Sequence, residues 1–295
     1  MKIASFPMYD GVTPTSYTDH FWSIFCKNAD FEVPFELDRS STCHDVWTSG
    51  SALVLSQSCG YPVVKIYSEY VRIVGTPVYD VNGCSGPYYF SAIVGSTSQR
   101  TLEDILREGS VTIAINSFDS FSGWLLLLSA IYDTAYASGV NLQEIVTRIV
   151  VTGAHVESML AVKDGIADIA AIDCVTLALA RKHFPHKTEG VEIIGGSSPA
   201  PALPIITHKE ASDAYVNSLR AALRKALDSD ESDACKAALL LRDIDMTGDV
   251  SIETYEQAIA DHIRRAREVV PGVSDVINGS TESIIASGVV VEYLK

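Results

Sequence analysis

Short apolar runs in this chain alternate with segments of helical period, and small polar residues gather at the joints between them. That alternation is the strongest constraint on the fold. A strand, a polar turn and a helix, repeated several times, imply an α/β layout with a largely parallel sheet. Strands are expected from the N-terminal Lys2–Met8 run through Val33–Leu37, Ala52–Gln57 and Val111–Asn116 to Ile166–Asp173. The last third reads as mostly helical, over Glu210–Leu227, Ala234–Leu241 and Ile252–Val269. The proline-rich stretch Pro199–Pro204 reads as a crossover between lobes.

One joint stands out. Asn116-Ser117-Phe118-Asp119-Ser120-Phe121-Ser122-Gly123-Trp124 follows the apolar run Val111–Ile115 and precedes a long apolar segment that reads as a buried helix. The first backbone N–H groups of a helix lack partners inside it, and with hydroxyls beside them they favour an anion. Ser120 and Ser122 are therefore candidate ligand residues, with helix capping as the competing role. Asp119 would repel an anion and is expected to point away. In open α/β sheets ligands bind beyond the carboxyl ends of strands, and further polar residues fall at such ends. They are Ser56 and Ser58, then Gly153 to His155, and Asp173. His155 opens a helix and is expected to donate to an anion and gain charge near neutral pH. Asp173 is read as either a helix cap or a cleft acceptor. Tyr9, Tyr61, Tyr88 and Tyr89 have the polar tip and apolar body that suit a cleft or a core.

The totals exclude other classes. The chain has 295 residues, 47% hydrophobic and 20% charged, enough for one large domain or two lobes. A formal net charge of −15 argues against nucleic acid, which needs clustered Lys and Arg. No apolar run approaches the ~20 residues of a membrane span, so any membrane association is peripheral. The first ten residues lack a signal-peptide core of ~7–15 apolar residues, which leaves a cytoplasmic location open. Six cysteines show no zinc spacing, and no metal or cofactor is expected. Cys59 and Cys84 sit in turn-like sequence, where a disulfide and two thiols are both compatible with the residues. Asp243-x-Asp245-x-Thr247-Gly248 looks like the start of a calcium loop, but Thr254 stands where the bidentate Glu is required, so it is read as a polar turn between helices.

An ordered set of motifs carries a family resemblance. Phe6-Pro7-Met8-Tyr9, Gln57-Ser58-Cys59-Gly60-Tyr61-Pro62, Gly75-Thr76-Pro77, Gly83-Cys84 and Tyr88-Tyr89-x-Ser91 come first. Asn116–Gly123, Thr152-Gly153-x-His155, the run Asp168–Thr176 and Pro201-x-Leu203-Pro204 follow. The set resembles the substrate-binding proteins of phosphate, phosphite and phosphonate ABC transporters, and within them a subgroup with a Gln-x-Cys-Gly-Tyr-Pro motif. The resemblance is strong over roughly residues 3 to 207. It implies a type 2 periplasmic-binding fold of two α/β lobes joined by crossover strands, one of residues 1–93 plus 202–295 and the other 94–201, with a ligand closed between them. It also implies a periplasmic location, a permease as partner and no catalysis. Carried over by position, the ligand residues are Ser120, Ser122, Gly123, His155 and Asp173, joined by Ser56, Ser58, Tyr61, Tyr88 and Tyr9. Phe121 interrupts the adjacent Ser/Thr pair of phosphonate binders, which points to a changed ligand. The alternatives are a cytoplasmic ligand sensor and an enzyme that uses Cys59 as nucleophile with His44 or His155 as base.

Overall fold

The computed structural model describes residues 2–96, 99–276 and 281–294. The chain runs β1 (Ile3–Ser5), α1 (Thr15–Asn28), α2 (Cys43–Trp47), β2 (Leu53–Gln57), α3 (Gly60–Lys65), β3 (Val71–Tyr79) and β4 (Tyr88–Tyr89). It continues with β5 (Ser91–Gly95), α4 (Leu102–Glu108), β6 (Val111–Ile115), a π-turn at Phe121–Leu125, α5 (Leu126–Ser138), β7 (Val146–Val151), α6 (His155–Lys163), β8 (Ile169–Asp173), α7 (Cys174–His183), β9 (Glu192–Gly196) and β10 (Ala200–Pro201). The remainder is β11 (Ile205–His208), α8 (Asp213–Leu227), α9 (Asp233–Leu239), β12 (Leu241–Asp245), α10 (Ile252–Val269), α11 (Val273–Val276), α12 (Glu282–Ala286) and β13 (Val290–Tyr293).

The chain divides into two compact units. The first comprises Met1–Tyr89 and Pro201–Glu256, the second Phe90–Ala200 and Gln257–Lys295. The crossover near Pro201 falls within the expected proline-rich stretch. The division differs from the expected one mainly at the C-terminus, where residues 257–295 go with the second unit. The cause is physical: β13 pairs in parallel with β7, and Arg265 forms an ion pair with Asp133 at 2.9 Å.

The first unit is built on a five-stranded sheet in the order β1-β2-β11-β3-β12. Its helix α1 turns Trp22, Ile24 and Phe25 into a core shared with Leu55, Val74, Leu219 and Leu223. Thr42 and Asp45 form a capping box that starts α2, satisfying donors at the helix start. Two expectations fail here. Val33–Leu37 is not a strand: Pro34 has no N–H for a ladder, and Phe35 is 90% exposed. The expected helix at Ala234–Leu241 ends at Leu239, where Leu240 turns left-handed at φ 53°. The chain then enters β12, antiparallel to β3, so the calcium-like segment starts on a strand instead of lying between helices.

The second unit holds a six-stranded sheet in the order β13-β7-β6-β8-β5-β9. β13, β7, β6 and β8 run parallel, and Ile113, Ile149, Ile169 and Ile172 are fully buried among them, as expected of strands covered on both faces. Both of these sheets are mixed: β11 and β12 run against β1, β2 and β3 in the first, whereas in the largely parallel second sheet β5 alone is reversed. Helix α5 buries Leu126, Leu127, Leu128 and Ile131 and stops at Gly139, whose left-handed φ of 67° closes the last turn. No helix among the described residues is long and apolar enough to cross a membrane. All six cysteines are thiols. The disulfide considered between Cys59 and Cys84 is not formed in this structure; Cys59 stands at the N-cap position of α3 and Cys84 in a turn closed on Val81.

Candidate functional site

In the second unit β6 lies between β7 and β8 and runs parallel to both, so the chain leaves all three strands at the same edge of the sheet. Asn116 follows β6, the Thr152–His155 segment follows β7, and Asp173 ends β8. This register is what assembles residues far apart in sequence.

The serine turn opens the helix through a π-turn. Ser120 is its cap, its Oγ accepting from the Gly123 N–H at 2.9 Å. Ser122 Oγ lies 3.0 Å from His155 Nε2 and 3.5 Å from Ser120 Oγ. The Ser122 carbonyl accepts from Ser91 Oγ at 3.0 Å, which ties the turn to β5. The intervening Phe121 is fully buried and meets the His262 ring edge-on at 5.4 Å. Its side chain belongs to the core, so it does not stand between the two hydroxyls. Asp119 is exposed and accepts from Ser117 Oγ.

His155 is held by the segment before it. The Thr152 N–H donates to the Ile115 carbonyl at 2.8 Å and the Gly153 N–H to the Asn116 carbonyl at 2.9 Å, extending the β6–β7 ladder by two residues. Gly153 then turns at φ 88°, a conformation that favours glycine. Burial pushes the His155 imidazole down to about 4, against the opposing pull of the Ala171 backbone carbonyl. This burial favours the neutral ring, whereas a gain of charge near neutrality was the expectation. With one nitrogen protonated, it either accepts from Ser122 or donates to it.

Asp173 is buried, and its Oδ1 accepts from the N–H groups of Val175 at 2.7 Å and Thr176 at 3.3 Å. It caps α7, the simpler of its two expected roles. One neighbour, Asn116, was missed as a site residue. Asn116 carries a buried Oδ1 without a hydrogen-bond partner. A methyl group placed on Gly123 would stand 1.9 Å from Asn116 Oδ1 and 3.1 Å from His155 Cε1. The visible signal for Asn116 was its place at the carboxyl end of a strand.

The candidates in the first unit are packed differently. Ser56 is fully buried, its Oγ accepting from Trp47 Nε1 at 3.0 Å. Ser58, also buried, donates through Oγ to the Cys59 carbonyl at 3.2 Å. Tyr61 is buried within α3. Tyr9 is buried and meets Tyr79 edge-on at 5.6 Å. Tyr88 is 37% exposed. His44 Nδ1 lies 3.2 Å from the Tyr67 hydroxyl, and His155 faces Ser122. Among the described residues no cluster of His, Cys, Asp or Glu could hold a metal ion.

Solved structures share this fold. A binding protein component of an ABC phosphonate transporter from Pseudomonas aeruginosa aligns with a TM-score of 0.66 and 15% identity, over 98% of this chain and 94% of the other. PhnD1 from Prochlorococcus marinus, in complex with methylphosphonate, gives 0.65 and 13%, over 91% and 98%. MatC from Rhodopseudomonas palustris, with bound malate, gives 0.52 and 12%, over 91% and 98%. At these identities the likeness establishes the fold alone. None of the curated proteins matches the sequence. Residues 54–254, more than half of the chain, match the family of periplasmic phosphonate substrate-binding proteins of ABC transporters, and the chain belongs to that family.

Proposed function

We propose that this solute-binding protein captures a small oxyanion of the phosphonate or phosphate type, and that the serine turn of the second unit receives it. The observation that carries this reading is the contact of Ser122 with a neutral His155 at 3.0 Å, beside Ser120 at the start of a long helix. Such a site offers hydroxyl and N–H groups to an anion without any side-chain charge. The Phe121 ring, turned toward His262, leaves the Ser120 and Ser122 hydroxyls 3.5 Å apart, which supports the reading. The role is capture and delivery to a membrane permease, in the periplasm as in the family. The Gln57–Pro62 segment is read as the mark of a subgroup, whose ligand within the class is set by the residues around the turn.

Titration calorimetry with methylphosphonate, inorganic phosphate and malate tests the reading. One of the two phosphorus oxyanions is expected to bind, and Ser122→Ala to weaken it at least tenfold. Binding of malate alone would move the ligand to the carboxylates. Silence with all three would remove the oxyanion reading.

A further inference from the structure

We propose that Asn116 is a ligand-contacting residue, whose side-chain amide donates to the bound oxyanion and is held in that orientation by Gly123. The inference rests on the oxyanion reading of the serine turn. The Asn116 carbonyl accepts from Gly153 at 2.9 Å, so the residue is fixed at the end of the sheet ladder. Its side chain lies over Gly123, where an added methyl would meet Oδ1 at 1.9 Å. Any other residue at 123 would drive the carboxamide away, and only glycine leaves room for it.

Oδ1 is consequently buried against the Gly123 backbone without a hydrogen-bond partner. A buried unpaired acceptor is unfavourable, and in a native structure it calls for an explanation. The opposite end of the amide supplies one. Nδ2 carries two N–H donors, and neither has a partner among the described residues. The Ser120 hydroxyl keeps its own hydrogen for a ligand, since it accepts from the Gly123 N–H, while the Ser122 hydroxyl and His155 Nε2 share one hydrogen bond. The Asn116 amide thus offers an oxyanion two hydrogens that no protein group uses. It also sets a sign of charge: an amide N–H favours a negative ligand atom, and a carboxylate at the same place would oppose it.

The test compares Asn116→Ala and Asn116→Asp in the full chain, titrated with methylphosphonate and inorganic phosphate at pH 8. Asn116→Ala should weaken binding about tenfold, the loss of one charge-assisted donor. Asn116→Asp, of nearly the same shape but with a repelling oxygen, should weaken it at least a hundredfold. Circular dichroism checks that each variant folds, and Asn116→Leu replaces any that does not, with a tenfold loss expected. Unchanged affinity in these variants, or equal loss in Asn116→Ala and Asn116→Asp, overturns the contact. Ser122→Ala separates the two claims. A loss there with none at 116 removes Asn116 alone, whereas a wild-type protein that binds neither probe removes the oxyanion reading and this inference with it.

Discussion

Two turns in this molecule share one plan: Gln57 ends β2 ahead of α3, and Asn116 follows β6 ahead of the π-turn and α5. Each has a carboxamide at or just past the strand end and a serine directly behind it, Ser58 and Ser117. In the first unit the amide is used within the protein, Gln57 Nε2 donating to the Tyr79 hydroxyl at 3.0 Å and the Leu203 carbonyl at 3.2 Å. In the second unit Asn116 keeps a buried Oδ1 without a partner. Motif chemistry is therefore a poor guide by itself. What distinguishes a candidate site is hydrogen-bonding capacity left over after the fold has satisfied its own groups.

Acid should produce the largest effect that separates the two units. Burial pushes His155 and His262 of the second unit each to about 4. Their ordinary value is 6.5, so the unfolded chain takes up protons below it while the folded unit does not. The stabilisation is complete above pH 6.5 and is lost as pH falls to about 4. Its size is on the order of 3 kcal/mol for each group. Hydrogen exchange at pH 7 and pH 4.5 should show the second unit opening more readily at the lower pH, with a smaller change in the first. Equal loss of protection in both units would break the contrast. His262→Gln, which keeps a polar partner for Ser129, should flatten the pH dependence of the melting temperature.

The next effect belongs to the turn itself. Ser122→Ala removes one hydrogen bond to a charged ligand, worth roughly 1.5–3 kcal/mol, or about ten- to a hundredfold in affinity. Gly123→Ala should weaken binding by a similar factor through displacement of Asn116. Its melting temperature should fall by only a few degrees if the carboxamide swings outward. Titration of both variants with methylphosphonate measures this, and affinity unchanged in both would mean that the turn is only a helix cap.

Much of this was legible in the sequence where interactions are local. Helix α10 was read to its observed ends because eighteen residues of regular period carry their own signal. The Ser120 cap followed from capping chemistry. What failed was non-local. Leu241–Asp245 alternates too weakly to announce a strand, and it becomes one by pairing with β3. Phe121 looked like an intrusion between two serines, whereas the π-turn rotates it onto His262. The charge of His155 depends on burial by groups distant in sequence. Asn116 was in view as the start of the motif, but its missing partners are a property of the packed structure.

The smallest effect tests the other side of the comparison. Ser56 accepts from the Trp47 indole N–H in a fully buried setting. Ser56→Ala leaves that donor unpaired and should cost about 1–2 kcal/mol of stability. In urea this reads as a lower unfolding midpoint with an unchanged slope. Affinity for methylphosphonate should stay within twofold of the wild type, because the hydroxyl is used inside the first unit. Trp47→Phe removes the donor as well, so Ser56→Ala in that background should cost less than in the wild type. A tenfold loss of affinity in Ser56→Ala without loss of stability would mean that this serine reaches ligand after all, and that a fully buried hydroxyl with a protein partner is not proof of a structural role.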